Sequence, residues 1–143
     1  MKYRWRDLAF DIDDGLQDQT MVVLSRAGQG AEPAYTVCVA DDQAPDGLQA
    51  YVDVALREMS TSLPGFRIGS RHNATVMGAR AVVVEARTLS PEGISLVQKQ
   101  AFVERTKDAV LVVTGSAPEE PKLAALMVSA IDRLIASLAR DTP

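Results

Sequence analysis

A chain of 143 residues, 47% hydrophobic and 24% charged, is long enough to bury a core without metals or disulfides; nothing marks a second domain, so residues 1–143 read as one. The formal charge of −4 argues against a surface that tracks phosphates, which removes nucleic acid from the expected partners. The opening MKYRWRDLAFDIDDG has basic residues with no apolar run behind them, so neither a secretory leader nor a membrane span is expected, and the single Cys38 forms no internal disulfide; both features fit a cytoplasmic protein.

Tyr3 to Ile12 is expected to be a first strand ending in the acidic turn Asp13-Asp14-Gly15. The stretch from Asp11 to Val22 is faintly like a calcium loop, but its glycine comes one place early and Val22 stands where a closing carboxylate belongs, so it reads as a solvated turn. Thr20 to Ser25 is a second strand. The glycines between Ala27 and Pro33 are too few and wrongly spaced for a phosphate cradle, and mark a loop. Ala34 to Ala40 is a third strand, with Tyr35, Val37 and Val39 on one face and Thr36 and Cys38 on the other. If Val22, Leu24, Tyr35, Val37 and Val39 pack toward helices, then Met21, Val23 and Cys38 line the opposite face. That face is apolar too, where a half-exposed sheet would turn Lys, Glu and Thr to water. It needs a cover: more of its own chain, a twin subunit or a ligand.

A helix is expected after Asp46, whose spacing to Gln49 fits a capping box. Leu48, Tyr51, Val52, Ala55, Leu56, Met59 and Leu63 fall on one helical stripe, and Pro64-Gly65 stops it. Phe66 to Val76 and Arg80 to Thr88 read as strands separated near Met77-Gly78, with Ser90-Pro91-Glu92-Gly93 leading onward. Ile94 to Gly115 is expected to be a β-hairpin turning between Glu104 and Asp108. Its first arm presents Ile94, Leu96, Gln98, Gln100 and Phe102 on one face, setting two carboxamides in an apolar row. Such a row suits something greasy that still carries hydrogen-bonding groups. Ser116 and Glu119 repeat the capping-box spacing, with Pro118 and Pro121 in the first turn of a closing helix whose stripe is Leu123, Leu126, Met127, Ala130, Ile131, Leu134 and Leu138. The fold class is therefore α+β: a mostly antiparallel sheet of about six strands with two amphipathic helices.

Residues for chemistry are sparse. His72 is the single histidine, so no His cluster for a metal exists, and a Cys38–His72 dyad would lack the usual surroundings of a nucleophile. Asp13, Asp14, Asp18, Asp41 and Asp42 fall in expected turns. No phosphate loop or nucleophile elbow is present, so no cofactor, metal or catalysis is expected, and binding is the starting expectation.

Several blocks together carry a family resemblance. Phe10 to Asp13, Gln17-Asp18-Gln19-Thr20, Met21 to Leu24, Tyr51-Val52, Leu63-Pro64-Gly65-Phe66 and Val97-Gln98-Lys99-Gln100-Ala101-Phe102-Val103-Glu104-Arg105 resemble the DcrB-related proteins, and more narrowly the Eag chaperones of type VI secretion systems. The resemblance implies a Mog1/PsbP-like fold. It also implies a cytoplasmic homodimer that holds the N-terminal transmembrane helices of a PAAR-containing effector before export, without itself entering the membrane and without catalysing a reaction. The implied groove has Met21 and Val23 on the second strand, Cys38 on the third and Gln100 in the hairpin; Gln98 and Phe102, on the same face of that arm, join them. Two departures stand out: Ala55 takes a helix position where the family offers a glutamine, and Asp14-Gly15-Leu16 replaces an aromatic-proline entry to the second strand. The alternative is a Mog1-like regulatory module that binds a protein without a transmembrane client, through a charged surface and as a monomer.

Overall fold

A computed structural model of the chain describes residues 2–5, 8–11, 21–27 and 33–138, with side chains over 35–138. The acidic turn after Ile12, the Gln17 to Thr20 block, most of the calcium-like stretch and the glycine loop lie outside the described residues.

At the start of the chain, β1 (Lys2–Trp5) and β2 (Leu8–Asp11) pair antiparallel as a two-stranded sheet of their own, with Tyr3 opposite Phe10. The one strand expected between Tyr3 and Ile12 is thus two, and the sequence carries the signal: its apolar alternation breaks at Arg6-Asp7.

The main sheet has six strands: β3 (Met21–Ala27), β4 (Pro33–Gln43), β5 (Arg67–Val76), β6 (Ala79–Leu89), β7 (Ser95–Thr106) and β8 (Ala109–Pro118). Their spatial order is β3-β4-β8-β7-β6-β5, and every neighbouring pair is antiparallel. Helix α1 (Leu48–Ser62) lies between β4 and β5 in the chain, and α2 (Pro121–Ser137) follows β8. Tight turns set the registers. Met77 (φ 56) and Gly78 (φ 72) both take the left-handed conformation that a two-residue hairpin needs to match strand twist, so Val76 pairs directly with Ala79. In the β7–β8 hairpin the ladder shifts between Glu104 and Thr106, and Thr106 pairs with Ala109.

Each face of the sheet has its own core. On one, Val37, Val83, Ala101, Val103, Val113 and Ala117 pack against Met127 and Ile131 of α2, both 0% exposed. The helix comes so close to β8 that a Cβ added at Gly115 would stand 2.6 Å from both Ile131 Cγ1 and Met127 Sδ. On the other face, Val82, Val84, Phe102 and Val110 pack against Leu48, Val52 and Leu56 of α1. The two helices therefore take opposite faces, and the face that alternation leaves for a cover is partly covered by α1, which contacts β6, β7 and β8. Arg71 on β5 fixes the outer edge of α1 by donating to Asp53 Oδ1 at 2.7 Å and Gln49 Oε1 at 3.1 Å.

Neither expected capping box forms. The N-cap of α1 is Gly47 (φ 90), with no side-chain cap. For α2 it is Glu120, whose carboxylate accepts from the backbone N–H groups of Lys122 (3.1 Å) and Leu123 (3.0 Å), with Pro121 starting the helix. The reason is that β8 runs on to Pro118, which keeps Ser116 in the ladder opposite Gln98 and moves the helix start downstream. The same lengthening acts on β4. Asp41 and Asp42, expected in a turn, are strand residues opposite Leu111 and Val110. Asp41 pairs with Arg105 at 2.7 Å.

Candidate partner-binding face

Register across the sheet fixes which residues share a face, because side chains alternate with a period of two. One row of paired positions runs Val23, Cys38, Thr114, Gln100, Val84. The row on its α1 side runs Met21, Ala40, Val112, Phe102, Val82, and the row on its other side runs Ser25, Thr36, Ser116, Gln98, Ala86. Met21, Val23, Cys38, Gln98, Gln100 and Phe102 thus occupy one face of the sheet, the face that α1 partly covers.

That cover sorts them. Phe102 is 1% exposed and sits beneath α1, its ring edge-on to Tyr51 with centroids 6.1 Å apart at 60°. It supports the face from below rather than lining it. Val82 and Val84 are equally shut in. Away from α1 the side chains of Thr36, Cys38, Gln98, Thr114 and Ser116 are only half-buried, which leaves a mixed floor of hydroxyls, a thiol and a carboxamide on β4, β8 and β7.

Gln100 lies at the boundary, 8% exposed, and its Nε2 donates to Thr114 Oγ1 at 3.4 Å. Its Oε1 and the Oε1 of Gln98 are both shut off from solvent with no hydrogen-bond partner. An orphaned acceptor of this kind costs about 1–3 kcal/mol. Two of them, two residues apart on one face of β7, leave this polar patch unsatisfied.

The α1 edge beside the floor is set by Tyr51. Its hydroxyl donates to Asp42 Oδ2 at 2.7 Å, which ties the first turns of the helix to the end of β4. Burial first, then the Asp42 carboxylate, raise the Tyr51 hydroxyl well above its ordinary 10.0, so it stays protonated and keeps donating. A cleft of about 300 Å³ opens along this edge, lined by Asp42, Ala44, Ala50, Tyr51, Ala55 and Glu58 among others. Ala55, at the position where a glutamine was expected from the resemblance, puts only a methyl there.

The Cys38–His72 dyad does not exist. Cys38 is on β4, facing the α1 side, whereas His72 lies on the edge strand β5, opposite Val83 of the α2 face. Among the described residues no group of three or more His, Cys, Asp and Glu gathers to hold a metal ion. What the described part of this face offers a partner is a floor of hydroxyls, a thiol and carboxamides beside the half-buried Ala40 and Val112. Thr114 and Ser116 belong to the same surface and were not singled out from the sequence, although the alternation on the second arm of the hairpin carries them once that arm is paired with the first.

The comparisons with known proteins agree with this architecture. The DcrB family model matches residues 8–137. The protein named Effector EagT6, from Pseudomonas aeruginosa, is 29% identical over 114 residues, which is 78% of each chain. Among solved structures, PA94 of Pseudomonas aeruginosa, a protein of unknown function, superposes with a TM-score of 0.75 at 22% identity, over 100% of this chain and 98% of its own. Two others share the fold at lower scores: Mycobacterium tuberculosis LpqN, involved in cell envelope biogenesis (0.54, 18% identity, 87% and 85% covered), and PsbP of Synechocystis (0.52, 13% identity, 90% and 96% covered). The fold is Mog1/PsbP-like, as the resemblance implied, and among the described residues no helix is long and apolar enough to cross a membrane. With the model matched from the second short strand to the end of the last helix, the chain is a member of the DcrB family.

Proposed function

We propose that this protein is a cytoplasmic chaperone for an effector of a type VI secretion system, and that it works by binding rather than by catalysis. Its single domain, acting as a homodimer, shields apolar helices at the N-terminus of a PAAR-containing client before export. The family membership and the similarity to Effector EagT6 support the class of function. The observation that carries the site is the half-covered sheet face, where Met21 and Val23 on the edge strand stand in register with Ala40 and Cys38, and Thr114 and Gln100 continue the second row.

The physics of the task suits such a face. A transmembrane helix in water exposes apolar surface whose burial is worth about 25 cal/mol per Å². The half-covered face takes one side of such a helix. A second copy of the chain would cover another. Helices with small residues on their packing face come close enough for carboxamides and hydroxyls on the floor to reach them.

The test is a charge in the floor. Val23→Asp is expected to leave the circular dichroism and melting temperature unchanged while abolishing co-purification of the N-terminal fragment of the effector, since a carboxylate would have to be buried against an apolar helix. Undiminished capture by that variant would remove β3 from the groove.

A further inference from the structure

The cleft of about 300 Å³ beside Tyr51 joins two kinds of chemistry. Ala50, Val54 and Ala55 of α1 give it an apolar wall, on which Val54 is 48% exposed. Asp42, Asp46 and Glu58 bring three carboxylates to it, and no basic side chain lines it. By contrast, Asp41 pairs with Arg105, Asp53 with Arg71, Glu104 with Arg80 and Asp132 with Lys99. Among the described residues no cation pairs with the three carboxylates of the cleft; Asp42 accepts from the Tyr51 hydroxyl and from the backbone N–H of Gln43. Like charges around one small cleft repel each other, and a cation placed among them relieves that repulsion. The three are not gathered closely enough to ligate a metal ion, and a bare ion gains nothing from an apolar wall. A lysine or arginine side chain suits both halves, since it lays its methylene stem on apolar surface and carries its charge beyond it.

The cleft also opens at the end of the half-covered face. Cys38, Ala40 and Asp42 follow one another on the same side of β4, so Asp42 stands about 7 Å beyond Ala40 along the strand. A helix lying on that face beside α1 therefore points one of its ends at the cleft. Helices that span membranes carry Lys and Arg in the segments next to their ends.

Resting on the function proposed above, we infer that the cleft between β4 and α1 takes a lysine or arginine side chain from the segment flanking the client's apolar helix, its charge against Asp46 and Glu58 and its stem on Ala50, Val54 and Ala55. The basic flank is anchored at this corner while the apolar part extends over β4 and β8, so the cleft fixes where along the face the client lies.

The experiment compares two dye-labelled model helices of about 20 leucines and alanines, the length of a membrane span. One ends in two lysines at each terminus, and the other in two glutamines at each. Each is titrated with the full chain and followed by fluorescence anisotropy at low and at high salt. The lysine helix is expected to bind about fivefold more tightly at low salt, an advantage that shrinks as salt screens the charges. Asp46→Asn and Glu58→Gln, neither of which breaks an ion pair of the folded chain, are each expected to reduce that preference while binding the glutamine helix as the native chain does. Glu92→Gln, in the turn between β6 and β7, removes the same charge away from the cleft and is expected to keep the preference. Equal affinity of the native chain for both helices would overturn the inference and leave the chaperone reading standing, and so would a preference that survives in the Asp46 and Glu58 variants. Binding of neither helix would overturn both.

Discussion

A buried carboxamide with an unused acceptor lowers the stability of the free protein and raises its affinity for whatever supplies the donor. Gln100 is in that position, with Nε2 on Thr114 and Oε1 unpaired. Gln100→Ala is therefore expected to weaken client binding by about 0.5–1.5 kcal/mol, the worth of one hydrogen bond, when measured by calorimetric titration. Wild-type affinity in that variant would count against a polar contact at this residue. Tyr51 gives a second test at the same scale. Its hydroxyl is held protonated in the folded state by burial and by Asp42, so its folded pKa lies above the unfolded 10.0. A raised pKa means that the folded chain keeps a proton the unfolded chain releases. The stabilisation is fully present below pH 10 and is lost as pH rises beyond it. The melting temperature of the native chain should fall more steeply above pH 10 than that of Tyr51→Phe, whose ring packs on Phe102 but cannot titrate. Parallel curves would show that the hydroxyl carries no such linkage.

At the scale of elements, α2 depends on a missing side chain. Gly115→Ala would drive a methyl into Ile131 and Met127, from which it would stand 2.6 Å, and the helix would have to lift from β8. A loss of about 1–3 kcal/mol is expected from urea unfolding. An unchanged midpoint would mean that the contact yields freely. Glu120→Ala, which removes the carboxylate over the first turn of α2, is expected to cost about 1 kcal/mol in the same assay.

These elements also show how far the sequence could be read. The β-hairpin from Ile94 to Gly115, the two helical stripes and the Met77-Gly78 turn are local patterns, and local patterns survive folding. The helix caps were not readable in the same way. A capping-box spacing at Ser116 and Glu119 is a weak signal beside a ladder that gains hydrogen bonds by continuing to Pro118, so the strand took Ser116 and Glu120 became the cap. Asp41 and Asp42 were drawn into β4 for the same reason, one pairing with Arg105 and the other taking the Tyr51 hydroxyl. For the candidate site, alternation groups Met21 with Val23 on one strand and Gln98, Gln100 and Phe102 on another, and the resemblance joined them with Cys38 in one groove; the pairing register is what puts them on one face. It says nothing about which part of that face a helix will cover. Phe102 ended beneath α1 because Val52 and Leu56 cluster with Val82 and Val84 of β6 and with Phe102 itself, a tertiary fact with no short-range signal.

Across the whole molecule, the asymmetry of cover defines what the protein can do. One face is closed by α2 over β4, β8 and β7, while among the described residues α1 packs on the opposite face mainly over β6, β7 and β8. The β5 edge of the sheet is poorly suited to a partner strand, with Arg67, Arg71 and His72 exposed along it. The proposed client and second subunit are therefore expected at the β3 side. Light scattering during size-exclusion chromatography, on the chain co-expressed with an effector fragment bearing a pair of N-terminal transmembrane helices, measures this most directly. The account predicts one soluble species whose mass corresponds to two copies of the chain plus the fragment. A monomeric chain eluting alone, with the fragment aggregated, would contradict it.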